Sequence, residues 1–178
     1  MGLSIQDPEA LKLLVKSLLD RDVRLSLDAT ALVNYILPLL SGKNVVVTPH
    51  AGEFKKMFGE VPPESKKARI TMVEKFAKKY SITIILKGQT DIISDGAKTY
   101  LNTTNTPGMT VGGTGDILSG IIAGMLARNR NALESAVISA YFNGLAGKST
   151  QKKLGPHMTA TDLLDALPSV MKSFDKIK

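Results

Sequence analysis

Residues 110–124 run Thr-Val-Gly-Gly-Thr-Gly-Asp-Ile-Leu-Ser-Gly-Ile-Ile-Ala-Gly. Gly112, Gly113 and Gly115 leave the backbone free to take positive φ and to approach a ligand with no Cβ in the way. An apolar helical run starts directly after them. Unpaired N–H groups and the positive end of a helix dipole therefore face whatever lies above the glycines. That makes an anion site, suited to a phosphoryl group. Asp116 sets a carboxylate at the mouth of the same helix. Plain phosphate binding gains nothing from this charge, whereas it suits a base that takes a proton from a hydroxyl while phosphate charge develops nearby. The alternative is a glycine-rich turn in which Asp116 caps the helix. Three glycines, a Thr and an Asp running straight into a small-residue helix favour the catalytic reading.

Outward from this loop the chain alternates strand and helix signals, which predicts a layered α/β fold with a mainly parallel sheet. Asp7-Pro8-Glu9 opens an amphipathic helix to about Asp20. Val23–Asp28 reads as a strand and Ala29–Leu39 as a helix. Asn44–Thr48 is a buried strand that stops at Pro49, and a helix follows from about Gly52 to the Pro62-Pro63 break. A charged helix over Glu64–Tyr80 and an apolar strand at Ile82–Leu86 come next. Asp91–Ser94 and Lys98–Leu101 resemble a hairpin with a type I′ turn around Asp95-Gly96. The glycine loop and its helix span about Asn105–Arg128, with two further helices at about Ala132–Lys152 and Ala160–Phe174. Gly120, Ala123, Gly124 and Ala127 read as a stripe for close helix packing.

Polar residues collect just after the strands, where open α/β sheets bind ligands. In Thr48-Pro49-His50-Ala51-Gly52-Glu53-Phe54, His50 is a hydrogen-bonding or acid group, or else a helix cap with Glu53 in the first turn. Lys87, in Leu86-Lys87-Gly88-Gln89-Thr90-Asp91, can pair with nucleotide phosphates or stand as a surface lysine before a turn. Asp28 is either a cap or a site carboxylate. Asn102–Gly108 is a polar loop that turns or lines a pocket.

The 178 residues make one ordinary domain or part of a larger one, and 43% hydrophobic residues suffice for a core. With no cysteine there is neither disulfide nor thiolate metal site, which fits a reducing cytoplasm. No segment approaches the roughly 18 apolar residues of a membrane span. The 23 Lys and Arg outnumber the 16 Asp and Glu, but the lysines are scattered and no aromatics interleave with them. A solvated surface that attracts a phosphorylated small molecule is expected, and not a nucleic-acid or membrane partner.

Leu27–Leu32, Thr48–Phe54, Leu86-Lys87-Gly88, Asn105–Met109 and Gly112–Gly124 occur in the order and spacing of the ADP/ATP-dependent NAD(P)H-hydrate dehydratases. The chain resembles that family, of the ribokinase-like superfamily, from Gly2 to about Pro168. The resemblance implies one three-layer αβα ribokinase-like domain over residues 1–178, N-terminally incomplete. It also implies repair of hydrated NADH or NADPH: phosphoryl transfer from ADP or ATP to the hydrate hydroxyl, then loss of phosphate. On this sequence Asp116 becomes the base, and Gly113, Thr114 and Gly115 the anion hole. Lys87, Gly88, Gln89, Thr90, Asp91 and Gly115 line the nucleotide. His50, Asp116 and Gly2 face the hydrate. Mg²⁺ arrives with the nucleotide phosphates, and no protein metal site is expected.

Two features depart from the family. Its domain normally begins with two or three further βα units, on the order of 70–100 residues at ~30 per unit. Without them the Val23–Asp28 strand keeps an unpaired edge, and a homo-oligomer is expected. Asn143-Gly144 and Ala146-Gly147-Lys148 stand where the family usually carries His-Gly and Ala-Gly-Asp. Two other functions fit the same residues. A small-molecule kinase would leave a stable phosphate ester, and a non-catalytic nucleotide-binding subunit would bind without turnover.

Overall fold

The computed structural model describes residues 5, 7–128 and 131–175. Its centre is a five-stranded sheet in the order β1 (Leu25–Leu27), β2 (Val45–Val47), β3 (Thr83–Leu86), β4 (Asp91–Ser94), β5 (Thr99–Asn102). β1 pairs parallel with β2 and β2 with β3, whereas β4 runs antiparallel to both neighbours. Four of the five strands therefore point the same way, and β1 forms one edge. Beyond the expected hairpin, the structure adds a second, in which the Lys87–Thr90 loop joins β3 to β4.

Strand periodicity sorts the helices into two layers. Val45, Val47, Ile84, Leu86 and Ile92 face one way, towards α1 (Pro8–Leu19), α2 (Leu37–Leu40), α3 (Ala51–Phe58) and α4 (Lys66–Tyr80). Val46, Ile85 and Ile93 face the other way, towards α5 (Thr114–Ala127) and α6 (Ala132–Leu154). α7 (Ala160–Lys172) closes a smaller cluster against α6 through Phe142, Leu163 and Leu167. Each fully buried Val or Ile contributes roughly 1.5–3 kcal/mol. A buried polar contact such as Ser26 Oγ to Ser119 Oγ at 2.9 Å, which ties β1 to α5, adds only about 0.5–1.5 kcal/mol. Apolar burial holds the layers, and the polar pairs set their register.

Three local expectations are corrected. Ala29–Leu39 is not one helix but two 3₁₀ turns, Ala29–Ala31 and Asn34–Ile36, ahead of the short α2. Pro38 lies in the first turn of α2; extending that helix backwards would place its ring against the carbonyl of Asn34. The β4–β5 turn is not type I′, which requires two central residues with positive φ. Only Gly96 has it, at 87°, because the Asp95 carboxylate accepts the N–H groups of Ala97 and Lys98 at 2.9 and 2.8 Å. Among the described residues nothing packs on the α5 stripe: Gly120, Ala123, Gly124 and Ala127 are exposed, and a Cβ at Gly120 or Gly124 would meet nothing within 4 Å.

Gly96 also lies directly on the backbone of Lys78 at the end of α4. Gly96→Ala should therefore destabilise the protein by about 1–3 kcal/mol, through overpacking and unfavourable φ. A lower urea midpoint at unchanged slope is the expected result.

Candidate functional site

The C-terminal ends of β1, β2 and β3 bring Asp28, Thr48-Pro49-His50 and Lys87 to one sheet edge. Asp28 stands at the N-cap position of the first 3₁₀ turn, yet its side chain makes no cap hydrogen bond. The chain bends instead through Ala29 at φ 53°, a conformation costing a non-glycine residue about 1–2 kcal/mol. The Asp28 carboxylate, only 3% exposed, accepts from Thr48 Oγ1 and from Lys87 Nζ, each at 2.8 Å. Asp28 is thus a site carboxylate. The same Lys87 nitrogen lies 3.6 Å from Glu53 Oε2, so one ammonium is shared by two carboxylates.

His50 opens α3. Its Nδ1 accepts the N–H groups of Gly52 and Glu53 at 3.0 and 3.3 Å, and Glu53 Oε2 accepts the N–H of His50 at 2.8 Å, a reciprocal capping box. With Nδ1 occupied as an acceptor, the ring proton of neutral His50 belongs on Nε2. That nitrogen lies 3.5 Å from Glu53 Oε1. Capping and a place in the site coexist in this residue.

Above these groups the glycine loop enters α5. Of its three glycines only Gly113 takes positive φ, at 94°. Gly115 serves close approach: a Cβ there would lie 3.3 Å from both Asp28 Oδ2 and Lys87 Nζ. The N-terminus of α5 has Gly113 as its N-cap and no capping side chain, whereas Asp7, His50, Asn131 and Thr159 cap α1, α3, α6 and α7. Its first-turn N–H groups are left for an anion. Thr114 can offer only its backbone to that anion, since its hydroxyl donates back to the carbonyls of Met109 and Val111 at 2.8 and 3.1 Å. Asp116, in the first turn, is exposed and makes no hydrogen bond or ion pair among the described residues.

A cleft of about 620 Å³ runs from His50, Lys87, Gly88 and Gln89 past Thr114 and Gly115 to Leu118 and Asn143. Asn105, Thr106, Pro107 and Met109 form another wall, so the polar loop after β5 does line a pocket. Asp91 borders the cleft, whereas Thr90 is not among its lining residues. Asp91 shapes the turn that carries Gly88, because its carboxylate accepts the N–H of Gly88 and the amide of Asn102, each at 3.0 Å. Asn105 Nδ2 donates to the Gly88 carbonyl at 3.0 Å. The loop after β5 rests on two glycines of α6: Gly144 receives Thr104, and Gly147 receives Met109. Two polar atoms of the wall are orphaned among the described residues, Thr106 Oγ1 and Asn143 Oδ1. Asn143, 5% exposed, has its Oδ1 buried with no hydrogen-bond partner among the described residues, at a cost of about 1–3 kcal/mol.

The NAD(P)H-hydrate dehydratase family profile matches residues 1–169. The chain belongs to this family. It is 64% identical over 177 residues to the ADP-dependent (S)-NAD(P)H-hydrate dehydratase of Nitrosopumilus maritimus, covering 99% of this chain and 62% of that relative. Its identity to the Cenarchaeum symbiosum enzyme of the same name is 60%, covering 100% and 62%. The chain thus spans somewhat under two thirds of the curated relatives it matches. Among solved structures, an ADP/ATP-dependent NAD(P)H-hydrate dehydratase of Bacillus subtilis, co-crystallised with ATP and Mg²⁺, superposes with a TM-score of 0.86. That match has 29% identity and covers 98% of this chain and 64% of the other. A hydroxyethylthiazole kinase of Pyrococcus horikoshii, 17% identical with a TM-score of 0.77, shares the fold alone.

Against the dehydratase pattern, the fold holds Lys87, Gly88, Gln89, Asp91, His50, Thr114 and Gly115 around one cleft. Gly113, the N-cap of α5, and Asp116 in its first turn flank Thr114 and Gly115 but, like Thr90, are not among the lining residues, and Gly2 lies outside the described residues. Sequence reading missed Glu53 as a partner of Lys87 and gave Asn143 no role. It left Asp28 open between a cap and a site carboxylate, and the structure sets its Oδ2 beside Gly115. Among the described residues no group of three or more His, Asp or Glu could hold a metal ion, and no helix is long and apolar enough to cross a membrane.

Burial raises the Asp91 carboxyl above its ordinary value of 3.8, against hydrogen bonds from Asn102, Asn105 and Gly88 and the charge of Lys87. The folded state therefore holds this proton more tightly than the unfolded chain does. Its contribution to stability is full below pH 3.8 and falls as pH rises through the raised pKa. Measured against Asp91→Asn, which cannot titrate, wild-type stability in urea should decline across that window and level off above it.

Proposed function

We propose that this protein repairs hydrated nicotinamide cofactor. In this reading, ADP or ATP phosphorylates the hydroxyl of (6S)-NADH or NADPH hydrate, and loss of phosphate restores NADH or NADPH. The observation that carries the reading is the uncapped N-terminus of α5, with Asp116 unpartnered in its first turn and Lys87 beneath Gly115. Donors for a phosphoryl group and a base for a hydroxyl there share one helix end. The names of the two archaeal relatives support ADP as donor.

Asp116 accepts the hydroxyl proton as the oxygen attacks the terminal phosphorus of the nucleotide, and the bond from that phosphorus to the nucleotide's bridging oxygen breaks. Backbone N–H groups at Gly113–Gly115 meet the charge on the transferring group, a preorganised contact that needs no reorganisation during the reaction. Lys87, fixed by Asp28 and Glu53, adds a stationary positive charge. In the second step the ring nitrogen's electron pair expels phosphate, and a proton leaves the neighbouring carbon to restore the double bond. The protein has little to do there. A kinase, by contrast, would leave a stable ester.

The donor set also fits a magnesium nucleotide. Asp28 and Glu53 are hard oxygen ligands beside the glycine loop, but both are engaged by Lys87. They suit an ion held mainly by phosphate oxygens and water. When bound, that ion would neutralise phosphate charge.

Asp116→Asn keeps size and hydrogen bonding but removes basicity. It should lower kcat by roughly 10²–10⁴-fold with nucleotide affinity near normal. Turnover is followed as recovery of near-ultraviolet absorbance from hydrated NADH, and wild-type turnover would refute the assignment. Gly115→Val presses its side chain onto the Asp28–Lys87 pair, and nucleotide binding should be lost in calorimetry.

A further inference from the structure

We propose that Asn102 is a positioning residue for nucleotide binding, because it closes a ring of hydrogen bonds that holds two walls of the cleft together; the inference rests on reading this cleft as a nucleotide site. The ring begins and ends at Gly88. The N–H of Gly88 donates to Asp91 Oδ1, and Asn102 Nδ2 donates to Asp91 Oδ2, each at 3.0 Å. The same Nδ2 donates to Asn105 Oδ1 at 3.3 Å, and Asn105 Nδ2 returns to the Gly88 carbonyl at 3.0 Å. The N–H and the carbonyl of Gly88 are thereby both tied to the loop after β5. Gly88 and Gln89 stand on one wall of the cleft, and Asn105, Thr106 and Pro107 on the other.

Asn102 is the member through which the ring reaches the rest of the fold. It is 6% exposed and is not among the lining residues, so it acts on a bound nucleotide only through its neighbours. Its amide orientation is decided by groups that can play one part only. The oxygen accepts the N–H of Thr104 at 3.2 Å, and the nitrogen donates to the Ala140 carbonyl of α6 at 3.1 Å. Thr104 Oγ1 adds a second donor to the oxygen at 2.6 Å. A buried polar network that is fully satisfied is rigid. Without it, Gly88 would be the most permissive residue the β3–β4 turn could hold. A nucleotide would then have to order both loops on arrival, at a cost in affinity. The ring also gives Asp91 a different part from the contact expected of it. Asp91 is 4% exposed, and each of its oxygens accepts one of the ring's bonds. Its carboxylate holds the walls and leaves the nucleotide to Gly88 and Gln89.

The test measures MgADP binding by calorimetry, and turnover of hydrated NADH, on the whole chain. It compares wild type, Asn102→Asp, Asp91→Asn and the exchanged pair carrying both substitutions. Asn102→Asp sets two carboxylates against each other. Asp91→Asn must keep its oxygen on the Gly88 N–H, which leaves two amide nitrogens face to face. Each should weaken MgADP roughly 5- to 50-fold, one charge-assisted hydrogen bond felt through the population of binding-ready loops. The exchanged pair again sets a donor against an acceptor, and it should bind more tightly than either single variant, although it forgoes the bond to Ala140. In turnover, Asn102→Asp should raise KM for ADP while kcat at saturating ADP stays close to wild type, since the ring includes neither Asp116 nor the glycine loop. Independent structural roles would make the two single losses add in the exchanged pair. That outcome, or wild-type affinity in Asn102→Asp, would overturn the proposal. Should Asn102→Asp fail to fold, Thr104→Val removes one donor to the Asn102 oxygen at nearly constant volume and should weaken MgADP about 2- to 5-fold; unchanged affinity there would overturn the proposal equally. If wild type binds MgADP and repairs hydrated NADH while the variants match it, only the role of Asn102 falls. If wild type binds no adenine nucleotide, the dehydratase reading falls with it.

Discussion

The bond of 2.8 Å between Lys87 Nζ and Asp28 Oδ1 is the contact on which the site's geometry depends. It joins the ends of β1 and β3 across β2, while Thr48 at the end of β2 donates to the same carboxylate oxygen. Three neighbouring strand ends are thereby drawn to one point. A Cβ at Gly115 would lie 3.3 Å from both members of the pair, tighter than an ordinary contact, so glycine there eases the close approach of α5 to the sheet. A buried carboxylate stripped of its cation would be left with an uncompensated charge. Helix entry, glycine loop and sheet edge therefore meet at one ion pair.

Much of this was legible in sequence because it is local. The Gly113–Asp116 run announces a glycine-led helix start, and the three consecutive valines of β2 announce a strand buried on both faces. What escaped reading was whatever depends on residues far apart in the chain. Asp28 and Lys87 are 59 positions apart; nothing near Asp28 separates a cap from a site carboxylate. The Ala29–Leu39 error was different in kind, since Pro38 was visible and its backward reach to Asn34 could have been weighed. The α5 stripe shows a third limit. Small residues at helical spacing define a face without saying what covers it, and among the described residues nothing does.

The two ends of the cleft follow different principles. At the glycine-loop end, the structure offers backbone and a fixed charge: Gly113 provides the turn, Gly115 the approach, and Thr114 spends its hydroxyl on the preceding loop. At the far end, the lining is made of side chains held by tertiary packing. The loop after β5 is placed by Asn102, Gly144 and Gly147, and none of these touches the glycine loop in sequence. A helix terminus suits any phosphate, so it cannot discriminate among nucleotides.

The electrostatics of the phosphoryl end set a condition on the donor. The chain carries a net charge of +7, yet beside the glycine loop two carboxylates, Asp28 and Glu53, share one ammonium, and Asp116 adds a third negative group. A bare polyphosphate would meet net repulsion at the point where it must approach most closely, although the overall field attracts it. The α5 N-terminus offsets part of that repulsion, equivalent to about half an elementary charge. The remainder needs a cation that travels with the phosphates. Lys87 cannot supply it by moving, because leaving Asp28 would expose a buried carboxylate without a partner. Under the proposed function, the ion pair that fixes the geometry thus also asks for a metal-bound nucleotide.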